Sequence, residues 1–286
     1  MATLSKGTLF DPVLVSELIN AVKGHSSLAK LSGASPVSFV GNKEFVFSMD
    51  SELDIVAENG AKTHGGVTIE PKTIIPIKFE YGARVSDEFM YAAEEQRIEI
   101  LKGFAEGFGK KAARALDIAA INGYNPRTGS ASLVVGTNNF KDGISKSETM
   151  GASAFGTVGA AIDKADADQT GFAGSKTLRA DLAAETKSDG NLYFPELAWG
   201  GKPDTLMGIP VDFNDTISAV LGVVGDFANF FKWGVAKEIP LEVIQYGDPD
   251  GQGDLKRTNE IVLRSEAYIG WGILDADSFA LIKVGE

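Results

Sequence analysis

The sequence predicts an α+β fold in which one long helix is set between separate runs of strand, and three observations carry that expectation. Residues 87–122 place apolar side chains three and four apart with a single gap at Gln96-Arg97, the period of a helix. Residues 37–81 read instead as strand, interrupted by a polar, glycine-bearing stretch that fits the tip of a hairpin. Strand runs then recur through the C-terminal half, with two shorter helical segments ahead of them. Helix and strand in these separate runs fit an α+β fold.

In chain order, residues 1–35 form an arm. Val13, Val15, Leu18, Ile19 and Val22 suit a short amphipathic helix over residues 12–22 that stops near Lys23-Gly24. Such an arm buries little by itself and is expected to lie against something else. Residues 37–49 alternate as a strand with Phe39, Phe45 and Phe47, and residues 53–57 and 67–69 are two further short strand runs. Between the last two lies Glu58-Asn59-Gly60-Ala61-Lys62-Thr63-His64-Gly65-Gly66, so a long hairpin is expected over about residues 50–72, with Asn59, Gly60, Lys62, His64, Gly65 and Gly66 at its tip. Pro76 restricts residues 72–81 to an edge or irregular strand.

The helix over residues 87–122 has Ser86 as N-cap, Asp87 and Glu88 at the positive end of its dipole and Gly123 as its stop. At 1.5 Å per residue it spans roughly 50 Å. Gly103, Gly107 and Gly109 inside it predict a bend or a close crossing, the alternative being a break into two helices. Beyond Gly123, residues 149–167 and 176–186 read as helix; residues 205–213, 226–233, 239–246, 261–273 and 278–284 read as strand.

At 286 residues and 44% hydrophobic content the chain can bury a sizeable core. A net charge of −12 argues against nucleic-acid binding as a main activity, since phosphate contacts need clustered Lys and Arg. The absence of cysteine excludes disulfides and thiolate chemistry and fits a reducing compartment. No window resembles a membrane span or a signal peptide. Chemistry is sparse. His25 and His64 are the only histidines, and no serine-hydrolase elbow, phosphate loop or zinc-protease helix occurs. Gly107-Phe108-Gly109-Lys110-Lys111 lies mid-helix, without phosphate-loop spacing. Asp248, Asp250 and Asp254 offer either oxygen ligands for Ca²⁺ or, as favoured here, a tight Asp-Gly turn between strands. Asp163, Asp166 and Asp168 read as a solvated helix face and its exit. No metal or other cofactor is expected.

Three motifs add an identification. They are Ala57-Glu58-Asn59-Gly60 followed by residues 85–89 (Val-Ser-Asp-Glu-Phe); Leu206-x-Gly-x-Pro210-Val211 followed by Gly225-Asp226-Phe227; and a closing Asp275-Ala-Asp-Ser-Phe-Ala280. In this order and at roughly this spacing they resemble the major capsid proteins of tailed bacteriophages, the Hong Kong 97 type. The resemblance covers the chain from about Val37 to its end. It implies an arm (1–35), a peripheral domain (36–123 and 257–286) holding the extended loop (about 50–72) and the spine helix (about 87–122), and an axial domain (124–256).

The resemblance further implies a structural role: self-assembly into pentamers and hexamers of an icosahedral shell around DNA, put together in a bacterial cytoplasm. Portal and decoration proteins are the partners it suggests. No segment ahead of the arm could be a fused scaffold, so scaffolding is expected as a separate protein, or the chain as a processed form. An encapsulin-type compartment is the alternative on the same fold; an acidic soluble enzyme is the alternative outside it. Some members of the family join a loop lysine to an asparagine with a glutamate as proton acceptor. Alignment places these roles on Lys62, Asn259 and Glu266, and Asn259 and Glu266, seven apart on one strand, are expected to face opposite ways.

Overall fold

Glycine decides where the centre of this fold lies. In the computed structural model, which describes residues 22 and 24–284 apart from 50, 92, 93 and 152, the middle of a six-stranded sheet is made of Gly171–Ser175 (β5) and Gly222–Gly225 (β8). A side chain at Gly222 would stand 2.6 Å from the Phe172 ring, so the two strands meet closely only because it has none. Around them the order is β4-β11-β8-β5-β7-β6, with β4 at Ser147–Thr149, β6 at Thr205–Leu206, β7 at Ile209–Asn214 and β11 at Phe279–Lys283.

This sheet is buried on both faces, and successive residues serve different cores. Ala173, Val223, Phe279 and Leu281 join one core; Phe172, Val224, Ala280 and Ile282 join the other. The second core is closed by the helices Ala154–Asp163 and Lys176–Ala184 through Val158, Ile162, Leu178 and Leu182. The first holds a ring cluster of Phe140, Phe227, Phe231 and Phe279 beside Trp233 and Trp271.

A second sheet of three antiparallel strands has Glu260–Ile273 (β10) between Ile77–Ser86 (β3) and Phe231–Ile244 (β9). The long helix, Glu94–Asn122, packs beside it through Phe108, Ala112, Leu116 and Ala119. Gly123, at φ +72°, ends it as expected. Its first half projects past the core, with Ile98 and Ile100 exposed. The helix runs unbroken through Gly103, Gly107 and Gly109, and neither Gly103 nor Gly107 has a neighbour within 4 Å of a built Cβ. Among the described residues nothing therefore crosses the helix at these two glycines.

A two-stranded ribbon, Asn42–Met49 (β1) with Val67–Ile74 (β2), stands apart from both sheets. Only its root, at Ile74, is buried. Pro71 is tolerated inside β2 because β2 pairs on one side alone, and Pro76 falls in the break between β2 and β3.

Several expectations are corrected. Residues 53–57 are not a strand: Leu53 and Ile55 are exposed and no described residue pairs with them, so the connecting loop runs over residues 51–66. The helical start at residues 87–91 is a 3-10 turn. The run 226–233 begins as a short helix, Phe227–Phe230, because the Asp226 carboxylate accepts from the Asn229 N–H. Residues 149–167 contain the end of β4 before their helix. The closing strand, Phe279–Lys283, joins the six-stranded sheet between β4 and β8, and only β10 returns to the sheet beside the long helix. The helix expected over residues 12–22 lies outside the described residues.

Candidate assembly surfaces

Burial and charge divide the candidate functional features into a latch, a clamp and an uncovered face. The latch is Asp117, wholly buried on the long helix. Its Oδ1 accepts from the Ser26 hydroxyl at 2.6 Å and the Leu28 N–H at 3.2 Å. Its Oδ2 accepts from the Ser27 N–H at 2.8 Å, the Thr216 hydroxyl at 3.2 Å and the Asn214 amide at 3.3 Å. One carboxylate thus caps the short helix Ser27–Leu31 at the end of the arm and binds both the end of β7 and the loop after it. Burial pushes its pKa up to about 6, against the opposing pull of the hydrogen bonds from Ser26, Ser27, Leu28 and Thr216. Lys30, on the same short helix, adds contacts to Asp204 at 3.3 Å and Asp212 at 3.2 Å. Residues 34–35 then cross β9, where Ala34 bridges Trp233 and the Ser35 N–H donates to the Trp233 carbonyl.

The clamp is Arg84, on β3. Its guanidinium donates to both oxygens of Asp250, to Glu260 at 2.8 Å and to the Gly253 carbonyl at 2.8 Å. The turn at residues 247–254 is thereby held against β3. The Arg84 hydrogen bond draws the Asp250 carboxyl down to about 2. The acids read as possible Ca²⁺ ligands are instead neutralised by an arginine, while Asp254 caps the short helix Leu255–Thr258; among the described residues no acidic or histidine cluster could hold a metal ion.

The uncovered face belongs to the ribbon. Phe45, Phe47 and Met49 stand opposite Pro71, Ile69 and Val67 across the two strands. All six are exposed; the five other than Pro71 keep 55–67% of their surface in water. Alternation on paired strands makes this one continuous apolar face, and such faces mark contact sites. At the root, Lys232 binds Glu44 at 2.9 Å and ties the ribbon to β9.

At the far end, Asn59 adopts φ +66° and the Gly60 N–H donates to the Ala57 carbonyl, making a turn. Lys62, His64, Gly65 and Gly66 follow, exposed. The three residues implied by the resemblance lie on three different elements. Lys62 lies on this loop. Asn259 is not on a strand at all but ends the helix Leu255–Thr258 in the left-handed conformation, so the expected opposition of faces along one strand does not apply to it. Glu266, 8% exposed on β10, is bound by Lys78 at 2.7 Å, which holds the lysine above its ordinary pKa. Sequence reasoning missed Asp117 and Arg84. An acid beside Leu116 on the buried side of a helix was the available signal for the first.

A cavity of about 550 Å³ between β3, the long helix and residues 125–128 is lined in part by Lys78 and Arg114. Both are already committed, to Glu266 and to Asp215. Latch, clamp and apolar face are features of a structural subunit: they fix where segments lie and leave surface to be covered. The chain matches the phage capsid family over residues 6–284 and belongs to that family. It is a capsid structural protein of the tailed-phage kind.

Its structure is similar to that of a chain from Mycobacterium phage Ogopogo (29% identity, TM-score 0.74, 91% of this chain and 92% of that one). It is also similar to a chain from Gordonia phage Cozz (24%, 0.76, 91% and 87%). A third likeness, to the capsid of an empty GTA particle computed with C5 symmetry (17%, 0.65, 92% and 90%), is one of fold. No curated protein sequence matches the chain.

Proposed function

We propose that this chain is the major capsid protein of a tailed phage or prophage, forming pentamers and hexamers of an icosahedral shell that encloses DNA. The observation that carries the reading is the uncovered ribbon face. Returning its five half-exposed side chains to an apolar environment is worth about 1 kcal/mol each, and nothing in the described chain does so. Copies related by a closing rotation bury such faces without leaving free ends. The match of a phage capsid model to residues 6–284 favours a phage shell over an encapsulin-type compartment. On this reading the three-stranded sheet and the long helix are the peripheral part and the six-stranded sheet is the axial part, with Phe279–Lys283 assigned to the latter. The tip formed by residues 59–66 lies over a neighbouring copy. A separate scaffolding protein, a portal and decoration proteins are its partners, and assembly takes place in the bacterial cytoplasm. Light scattering tests the ribbon: Phe47→Asp should leave the subunit folded and unable to form particles that the wild type forms, and normal assembly of the variant would refute the assignment.

On this reading any cross-link between Lys62 and Asn259 forms between subunits, Lys62 being exposed on the loop that reaches a neighbouring copy. Asn259 ends the helix Leu255–Thr258, whereas Glu266 lies within β10 and is held by Lys78. The lysine must lose its proton in a dry contact before it can attack the asparagine amide carbon and release ammonia. With Glu266 engaged by Lys78, the expected state of mature particles is uncross-linked.

A further inference from the structure

The three tryptophans of the chain differ sharply in surroundings. Trp233 and Trp271 are wholly buried, whereas Trp199 is 105% exposed. Trp199 sits in a turn built with care. Phe194 and Leu197 point into the second core, at 7% and 0% exposure. The Leu197 N–H donates to the Phe194 carbonyl and the Gly201 N–H to the Ala198 carbonyl, each at 3.1 Å. A side chain at Gly201 would collide with the Glu196 carbonyl. At the apex Trp199 takes φ +56°, ψ +24°, a left-handed conformation unfavourable for a bulky L residue.

Within one molecule this arrangement gains nothing, since the ring lies in water and its backbone is strained. Strain held by a well-anchored turn points to a role outside the chain. The ring projects from the surface, with no wall around it to form a small-molecule pocket. It is a knob for another surface.

We propose that Trp199 is an anchor of the contact between copies of this chain, entering an apolar site on the neighbouring copy. The inference rests on the reading of the chain as a shell subunit. Area supports a second copy as the occupant. A tryptophan side chain buries about 150–250 Å², and the site receiving it loses a similar area. One such contact therefore supplies roughly a quarter of the ~1,600 Å² of a standard stable interface, and the ribbon face contributes to the rest. In a ring each copy gives one knob and receives one, a heterologous contact that closes. A fixed turn also limits the ordering entropy lost on contact, as suits a hot-spot residue.

The protein carries its own reporter. Emission and acrylamide quenching are measured on dissociated wild-type subunits and on assembled shells, with Trp199→Phe used to subtract the two buried rings. The Trp199 component should be long-wavelength and freely quenched in subunits, then blue-shifted and several-fold less quenched in shells. Trp199→Ala should keep the wild-type circular dichroism and the emission of the buried tryptophans, yet need several-fold more subunit to assemble. Shells in which Trp199 stays open to acrylamide, or a Trp199→Ala chain that assembles like the wild type, would overturn the inference and leave the shell reading intact. Wild-type subunits that never assemble would remove both.

Discussion

Asp117→Asn isolates the latch. The substitution keeps the shape of the side chain and removes its charge, so an amide nitrogen replaces one acceptor oxygen. Turned toward Oδ1 it faces the donors from Ser26 and Leu28; turned toward Oδ2 it faces those from Ser27, Asn214 and Thr216. Each buried donor left unmet costs about 1–3 kcal/mol, partly offset at neutral pH because no charge is buried. The pH dependence separates these effects. A folded-state pKa of about 6, against 3.8 when unfolded, means that the folded protein binds the proton more tightly. The stabilisation is therefore absent above pH 7, grows as pH falls through 6, and is complete below the unfolded value.

Between pH 7 and pH 5 the wild type should gain on the order of 1 kcal/mol relative to Asp117→Asn. Arg114 is the cation whose charge is coupled to Asp117, and it is held by Asp215. Asp212 faces the same short helix, accepting from the Ser27 hydroxyl and Lys30. Neither changes in the variant, so the difference reports Asp117. Urea unfolding of unassembled subunits at both pH values measures it. A difference that is constant, or that shrinks toward pH 5, would show that the hydrogen bonds offset or outweigh burial and would refute the reasoning.

Three further outcomes are expected. Arg84→Ala should let the Asp250 pKa rise from about 2 toward the ordinary aspartate value and should raise amide exchange over residues 247–254; unchanged exchange would mean that the turn holds itself. Because the Asp250 pKa is depressed in the folded chain, the contribution of this pair is present above about pH 4 and lost as pH falls toward 2. Deleting residues 59–66 should leave the melting temperature of the subunit unchanged and weaken assembly, whereas loss of folding would place the tip in the intrachain core. Denaturing electrophoresis of mature particles should give a single band near 30 kDa; a ladder abolished by Lys62→Ala would reverse the reading of Glu266 as engaged by Lys78.

The long helix was legible because its period repeats through most of 29 residues and a glycine ends it. Strands β5 and β8 were not, because their glycines are there to let neighbouring strands approach and carry no alternation of their own. Residues 53–57 failed in the opposite sense. Leu53, Ile55 and Val56 look like a strand, but a strand exists only with a partner, and the described residues offer none there. The partner of the acidic turn was hidden by distance: Arg84 is 166 residues from Asp250, and no local pattern connects them. Asp117 lies among Ala113, Leu116 and Ala120 on the buried side of the long helix, a place that only its neighbours reveal. The exposed ribbon was visible as strands, yet which of its faces is apolar and open depends on the register Phe47 with Ile69.

The central claim is that this chain closes into shells of its own copies. Negative-stain electron microscopy of the purified protein, across salt and pH and at rising concentration, tests it most directly. The account predicts closed, round particles of uniform size built from rings of subunits. A monodisperse monomer under every condition would contradict it.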